Sequence, residues 1–286
     1  MTPETPAAPY ALPDGFVQVG LSGGRTSAYM LHKLIEANGD AIRDTSRVQV
    51  VFSNTGREMP QTLDFVAELS RRWSVPITWV EYRPGENGQR FQVVSHNSAA
   101  RDGEPFEALI RKKSYLPNPL ARFCTSDLKV RPARDYLRSR GWDKWTSAIG
   151  LRADEAHRDN STATARERWD RWCPMIAAGA TKADVLAFWR SQPFDLALDP
   201  SGRTPLGNCD GCFLKSEATL AALARDYPER HAWWERMESE IGASFRPRYT
   251  RASLRDFVER QGDWLFSNEA QEVGALCQAD GGECIE

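Results

Sequence analysis

The chain has 286 residues, 41% of them hydrophobic and 27% charged, with a formal net charge of −2. That is the composition of an ordinary globular protein, long enough for one large domain or two small ones. It carries no overall basic excess of the kind that marks nucleic-acid binding, and no apolar run approaches the length of a membrane span.

Residues 1–14 are rich in Pro and Ala and lack a basic-then-apolar leader pattern. They read as a flexible tail, and the cytoplasm is the expected location. Residues 16–21 form a short apolar run that predicts a strand, and 26–37 read as a helix. Between them lies Ser22-Gly23-Gly24-Arg25-Thr26-Ser27. A strand, a Gly-rich turn and a helix N-terminus in that order make an anion site. The glycines let the backbone approach closely, first-turn N–H groups point outward, and the helix dipole favours negative charge. The hydroxyls of Ser22, Thr26 and Ser27 add donors, and Arg25 adds a charged fork for phosphate oxygens. The loop has neither the Walker A pattern nor the Gly-x-Gly-x-x-Gly dinucleotide pattern.

Residues 48–53 predict a second strand, Pro60 starts a helix that runs to about residue 73, and 77–82 predict a third strand. Two βα units of this length imply a parallel sheet with right-handed crossovers. Ligands of such sheets bind beyond the carboxyl ends of the strands, where the Ser22 loop and Asn54-Thr55-Gly56 both fall. Residues 84–105, rich in Gly, Asn, Ser and Arg, are expected to form a mobile excursion. Residues 106–140 predict helix apart from a Pro117-Asn118-Pro119 break, and 145–151 a further strand whose end carries Arg152. From Thr181 onward the pattern is helical, with loops between residues 195 and 208. The expected plan is a tail over 1–14, an α/β nucleotide domain over 15–180, a helical cysteine-bearing region over 181–270 and a mobile tail over 271–286.

Six cysteines, Cys124, Cys173, Cys209, Cys212, Cys277 and Cys284, are expected as metal ligands or reactive thiols rather than disulfides in a reducing compartment. Cys209-x-x-Cys212 is a chelate spacing. With Cys124 and Cys173 it makes four thiolates, enough for a [4Fe–4S] cluster or a tetrahedral zinc; buried free thiols without metal are the alternative. Arg122, Lys129 and Arg131 flank Cys124 and favour its thiolate. Arg111, Lys112, Lys113, Arg122, Lys129, Arg131, Arg134, Arg138 and Arg140 are offset only by Asp127 and Asp135 within their own segment. Such a surface suits a phosphate-rich ligand or a nucleic-acid backbone, and is equally the solvated face of a helix. Asp154, Glu155 and Glu167 suit Mg²⁺ held together with substrate phosphates.

Residues 22–27 resemble the PP-loop, Ser-Gly-Gly-x-x-Ser, of the adenine nucleotide alpha hydrolase superfamily. Residues 52–66 resemble the Asp-Thr-Gly…Pro-Glu-Thr segment of the phosphoadenosine phosphosulfate (PAPS) reductase-like family. Residues 122–132 are similar to its Cys-Cys…Lys-x-x-Pro element. Gly150-Leu151-Arg152-Ala153-Asp154-Glu155 resembles its Gly-x-Arg-x-x-Glu strand end, and Cys209-Asp210-Gly211-Cys212 its later Cys-x-x-Cys. The resemblance spans roughly residues 16–240. Three positions depart from it. Asn54 replaces the usual Asp, Arg25-Thr26 stands where ATP pyrophosphatases carry Lys-Asp, and Phe123-Cys124 stands where iron–sulfur reductases carry two adjacent cysteines.

The resemblance implies a Rossmann-type α/β domain with a parallel sheet and a mainly helical C-terminal region. It implies an adenine nucleotide, ATP or PAPS/APS, held by Ser22, Gly23, Gly24, Arg25, Thr26, Ser27, Asn54, Thr55, Gly56, Gly150 and Arg152. Arg25 and Arg152 would stabilise developing negative charge. It favours a [4Fe–4S] cluster near the nucleotide on Cys124, Cys209 and Cys212, with Cys173 inferred as the fourth ligand. Glu283-Cys284 echoes the mobile C-terminal nucleophilic cysteine of the sulfonucleotide reductases. The expected function is ATP-dependent activation and sulfur transfer, with a sulfur donor as partner and nucleic acid as a possible acceptor. The alternatives are a thioredoxin-linked PAPS/APS reductase and a non-catalytic nucleotide sensor with structural zinc.

Overall fold

A computed structural model describes residues 8–85, 90–159, 167–198 and 206–261. Alternating apolar residues of β1 (Val17–Leu21) put Val17, Val19 and Leu21 into a core and turn Gln18 and Gly20 to the opposite face. The chain then passes through α1 (Arg25–Asn38), β2 (Val48–Asn54), α2 (Pro60–Trp73) and β3 (Ile77–Tyr82). Both β1·β2 and β2·β3 pair in parallel.

The stretch expected as a mobile excursion is instead partly built into the sheet. β4 (Phe91–Val94) pairs antiparallel with β3, and Ala99 and Ala100 are buried. The signal was masked because β4 is a four-residue edge strand, with only its inner side paired. Downstream, α3 (Glu104–Lys113) is followed by a helical run made of α4 (Phe123–Thr125), a π turn (Ser126–Val130) and α5 (Arg131–Ser139). Pro132 supplies no N–H to the Leu128 carbonyl and its ring crowds that carbonyl, which is where the ladder widens.

β5 (Trp145–Ala148) returns to pair with β1, and β6 (Trp169–Trp172), a strand the sequence did not announce, pairs with β5. The sheet order is β4-β3-β2-β1-β5-β6, parallel except at β4. The chain leaves β1 toward β2 on one side and comes back to β5 on the other, so the Ser22 loop lies at the point where strand order reverses.

The remaining helices are α6 (Pro174–Ala177), α7 (Lys182–Ser191), α8 (Glu217–Asp226), α9 (Pro228–Ile241) and α10 (Arg251–Gln261). One core lies between the sheet, α1, α2 and α7; Tyr10 and Leu12 pack on it. A smaller core joins the sheet to α5 through Val51, Val80, Ala133 and Leu137. A third gathers Met59, Tyr82, Phe106, Phe213, Trp233, Trp234 and Phe245. Among the described residues no helix is long and apolar enough to cross a membrane.

Candidate nucleotide cleft and thiol cavity

The Ser22 loop is preorganised by its own hydroxyls. Ser27 Oγ accepts the Ser22 N–H at 3.1 Å and lies 2.9 Å from Ser22 Oγ, and it donates to the Gly24 carbonyl at 3.2 Å. Gly23 has φ +81°, and a Cβ there would stand 2.6 Å from Thr62 Cγ2, so only glycine fits. Gly24 caps α1 with no side chain over the first turn and no acidic residue in it, which leaves the positive end of the helix open to an anion. Gly150 lets β5 close on the loop: a Cβ there would meet Ser27 Cα at 3.2 Å.

Two expected charge-stabilising residues are committed to protein partners. Arg25 gives Nε and Nη2 to the Asp195 carboxylate at 2.7 Å each, and Nη2 also to the Leu196 carbonyl at 3.0 Å. Trp189 Nε1 donates to the Arg25 carbonyl at 2.9 Å. Arg25 therefore ties the start of α1 to the segment after α7. Arg152, 4% exposed, reaches Thr26 Oγ1 at 3.3 Å and pairs with Asp154 and Glu155. Those two carboxylates, expected as Mg²⁺ ligands, are thus held by Arg152, and Glu167 is exposed.

Asn54 and Thr55 are fully buried. Asn54 Nδ2 donates to Glu81 Oε1 and the Ala100 carbonyl, while its Oδ1 accepts the Gly56 N–H. Thr55 donates its N–H and hydroxyl to Glu58 and has its Oγ1 3.3 Å from Cys209 Sγ. Since the hydroxyl hydrogen goes to the carboxylate, the Cys209 S–H is the donor in that contact. This segment holds the site together from inside.

Two openings flank Lys129, which projects from the π turn. One is a cleft that runs along β1 from Gln18 to the phosphate loop, lined by Gln18, Gly20, Ser22, Ser27, Ser53, Ser147, Gly150 and Lys129. The other is a cavity lined by Cys124, Cys209 and Cys212 together with Thr55, Arg122, Asn208 and Lys129. Lys129 is common to both, a relation no linear motif displays. The Cys209–Cys212 loop is fixed by Asp210, which is fully buried and accepts from Arg57 Nη2 at 2.8 Å, Trp234 Nε1 at 2.8 Å, the Gly211 N–H at 2.7 Å and Arg230 Nε. Arg251 donates to the Gly211 carbonyl at 2.6 Å. Gly211 is obligatory, because a Cβ would overlap the Trp234 indole at 2.3 Å.

Burial, with Glu58 nearby, pushes the Cys209 thiol up to about 12 against the opposing pull of Lys129. Its side chain keeps some exposure to the cavity but is densely surrounded by protein. Cys173 does not join this cavity. It follows β6 beside Asp159 and Arg171, where burial pushes it up to about 11. Of the four expected thiols, Cys124, Cys209 and Cys212 line one cavity, and Cys173 stands apart at the start of α6. The soft donor set of the cavity, three thiols and no carboxylate among its lining residues, suits iron–sulfur or zinc chemistry. Among the described residues, however, no three His, Cys, Asp or Glu side chains are close enough to hold an ion in this arrangement. Cys277 and Cys284 lie outside the described residues.

Four of the nine basic residues of the segment have acidic partners. Asp127 pairs with Lys113 and Arg131, Arg134 with Asp135, and Arg111 with Glu107 and Glu240. Glu107 and Glu240 come from α3 and α9, so the sequence segment alone overstated the charge.

The family model for the phosphoadenosine phosphosulfate reductase domain matches residues 17–193. A nin region protein of Escherichia phage lambda, ORF290, is 32% identical over 224 residues, covering 73% of this chain and 69% of that protein. A 37.8 kDa protein of Escherichia phage 186 is 25% identical over 260 residues, covering 77% of this chain and 74% of that one. Among solved structures, PAPS reductase from Candida auris aligns with a TM-score of 0.38 at 16% identity, over 66% of this chain and 79% of that one. The U34-tRNA thiolase NcsA from Methanococcus maripaludis, solved with its [4Fe-4S] cluster, aligns with a TM-score of 0.41 at 13% identity, over 96% of this chain and 82% of that one.

Proposed function

The chain belongs to the phosphoadenosine phosphosulfate reductase domain family, and on that premise we propose that it is an enzyme that binds an adenine nucleotide at its PP-loop and uses it in sulfur chemistry. The observation that carries this reading is Lys129, a cation shared by the phosphate-loop cleft and the three-thiol cavity. A nucleotide on one side and sulfur on the other would meet across it.

In the favoured reading the nucleotide is ATP. The Ser22 and Ser27 hydroxyls and the first-turn N–H groups of α1 hold its phosphates. Arg152 acts by fixing Thr26, and Arg25 by fixing the start of α1 against Asp195; neither is assigned a phosphate. An acceptor oxygen attacks the α-phosphate and pyrophosphate leaves. A sulfur nucleophile brought from the thiol cavity then displaces AMP, with Lys129 stabilising the anionic charge in both steps. A [4Fe–4S] cluster, if bound, would be held by Cys124, Cys209 and Cys212 and would supply sulfur-handling or redox capacity there. The second reading, reduction of PAPS or APS to sulfite by thiols, is favoured by the family model, which covers the whole nucleotide-binding half.

The test is calorimetric titration of ATP and of PAPS into the whole protein and into Ser22→Ala, followed by assays of pyrophosphate and sulfite release. ATP binding that weakens at least tenfold in Ser22→Ala, with pyrophosphate release in the presence of an acceptor such as tRNA, supports sulfur transfer. Sulfite release from PAPS with thioredoxin supports the second reading. Failure of the wild-type protein to bind either nucleotide overturns both.

A further inference from the structure

We propose that Pro132 is a positioning residue: by enforcing the π turn, it sets Lys129 on a helix face that meets both the phosphate-loop cleft and the thiol cavity. This rests on the nucleotide reading above and names the residue that places its shared cation.

Cys124 and Lys129 line the thiol cavity, while Lys129 and Ala133 line the cleft. An unbroken α-helix turns about 100° per residue. On such a helix Cys124 and Ala133 would stand about 180° apart around the axis, and the two openings would lie on opposite faces. The π turn changes that relation. The Arg131 N–H donates to the Ser126 carbonyl, five residues back instead of four. The extra residue removes about one step of rotation, so Cys124 and Ala133 come to about 80° from each other. Lys129 then falls midway, about 40° from each, where one side chain reaches both openings.

Pro132 keeps the turn from closing into an α-helix. The four-residue ladder would need an N–H at position 132 for the Leu128 carbonyl, and proline has none. The two halves of the run are also pinned separately. Leu128 packs in the core with Met59, and Ala133 in the core with Val51. Asp127 pairs with Lys113 on α3 at 2.8 Å and with Arg131, and Ser53 Oγ on β2 donates to the Lys129 carbonyl at 3.3 Å.

Pro132→Ala supplies the missing N–H and lets the ladder close. ATP binding is measured by calorimetry on the full chain, on Pro132→Ala, on Lys129→Met and on the double variant. Acetylation of Lys129 by acetic anhydride is followed by peptide mass spectrometry in the wild type and in Pro132→Ala, with the other lysines as internal references. The expected result is at least fivefold weaker ATP binding in Pro132→Ala and a double variant no weaker than Lys129→Met. Lys129 is expected to acetylate at least threefold faster once turned out of the openings. A merely structural role would instead add its loss to that of Lys129→Met. Additive losses, or acetylation at the wild-type rate in Pro132→Ala, overturn the inference. Faster acetylation with unchanged ATP affinity supports the placement by Pro132 and overturns the role of Lys129 in nucleotide binding. If the wild-type protein binds neither ATP nor PAPS, the nucleotide reading falls, and acetylation alone decides whether Pro132 places Lys129. If Pro132→Ala fails to fold, as read by circular dichroism, Ser53→Ala takes its place and acetylation is the readout.

Discussion

Asn54 Nδ2 donates to Glu81 Oε1 at 2.7 Å, and the same carboxylate oxygen accepts the Ala100 N–H at 2.6 Å, both inside the protein. This contact gives the amide at position 54 a role that a carboxylate could not fill. A carboxylate at position 54 would face Glu81 across a hydrogen-bond distance with no water to screen it. Burial already holds the Glu81 carboxyl above the usual carboxylate range.

Asn54→Asp is therefore expected to cost about 3 kcal/mol in urea denaturation, as an uncompensated buried charge does. Asn54→Asp combined with Glu81→Gln removes the carboxylate pair and should recover part of that loss, although both Ala100 backbone groups lose their partners. A double variant no better than the single one would refute the pairing.

Asp210 fixes the thiol loop by accepting from Arg57, Arg230 and Trp234 at once. Asp210→Ala strands the buried Arg57 guanidinium and is expected to cost about 3–5 kcal/mol. Asp210→Asn keeps the shape but replaces one acceptor oxygen with a donor facing Arg57 or Trp234, and should lie between. Thermal melts of the three proteins give the order directly.

Arg25 and Asp195 join α1 to the segment after α7 through two hydrogen bonds of 2.7 Å. If they act as one clamp, Arg25→Ala, Asp195→Ala and the double variant should show nearly equal losses of ATP affinity, with a coupling energy of about 1–3 kcal/mol. Additive losses would mean that Arg25 has a separate role at the phosphates.

Alkaline pH should destabilise the metal-free protein. The Cys209 thiol is raised from 9.0 to about 12, so the folded state keeps a proton that the unfolded chain has lost. The stabilising contribution is complete below pH 9 and is lost as pH rises from 9 toward 12, at up to about 1.4 kcal/mol per pH unit. Cys209→Ser should flatten the profile in that window. Iodoacetamide at pH 8 should label Cys209 slowly, since the thiol rather than the thiolate dominates.

Metal content separates the cysteines. Iron, sulfide and zinc are measured per chain after anaerobic purification. Whatever centre is found should be lost in Cys124→Ala, Cys209→Ala and Cys212→Ala, which share one cavity, and retained in Cys173→Ala, which follows β6. Loss in Cys173→Ala would require the chain to draw that strand end toward the cavity.

The sequence by itself determined the α/β alternation, the phosphate loop, the strands from 17 to 54 and from 77 to 82, and the family. These are carried by local patterns: apolar alternation, glycines that backbone geometry requires, and a proline at a helix start. Only the tertiary structure decided which residues share a site. Arg25 looked available to phosphate because its partner, Asp195, is 170 positions away in the chain. Cys173 looked like a fourth ligand because residue type was legible and strand order was not. Edge strands β4 and β6 left weak signals, being four residues each and paired on one side only. Lys129 stood in a basic run among eight similar charges, and its place between cleft and cavity comes from a π turn that packs against β2, where Ser53 Oγ donates to its carbonyl at 3.3 Å. Periodicity and composition report the forces between near neighbours. Charge pairing, burial and the convergence of thiols depend on contacts that exist only once distant segments are packed together.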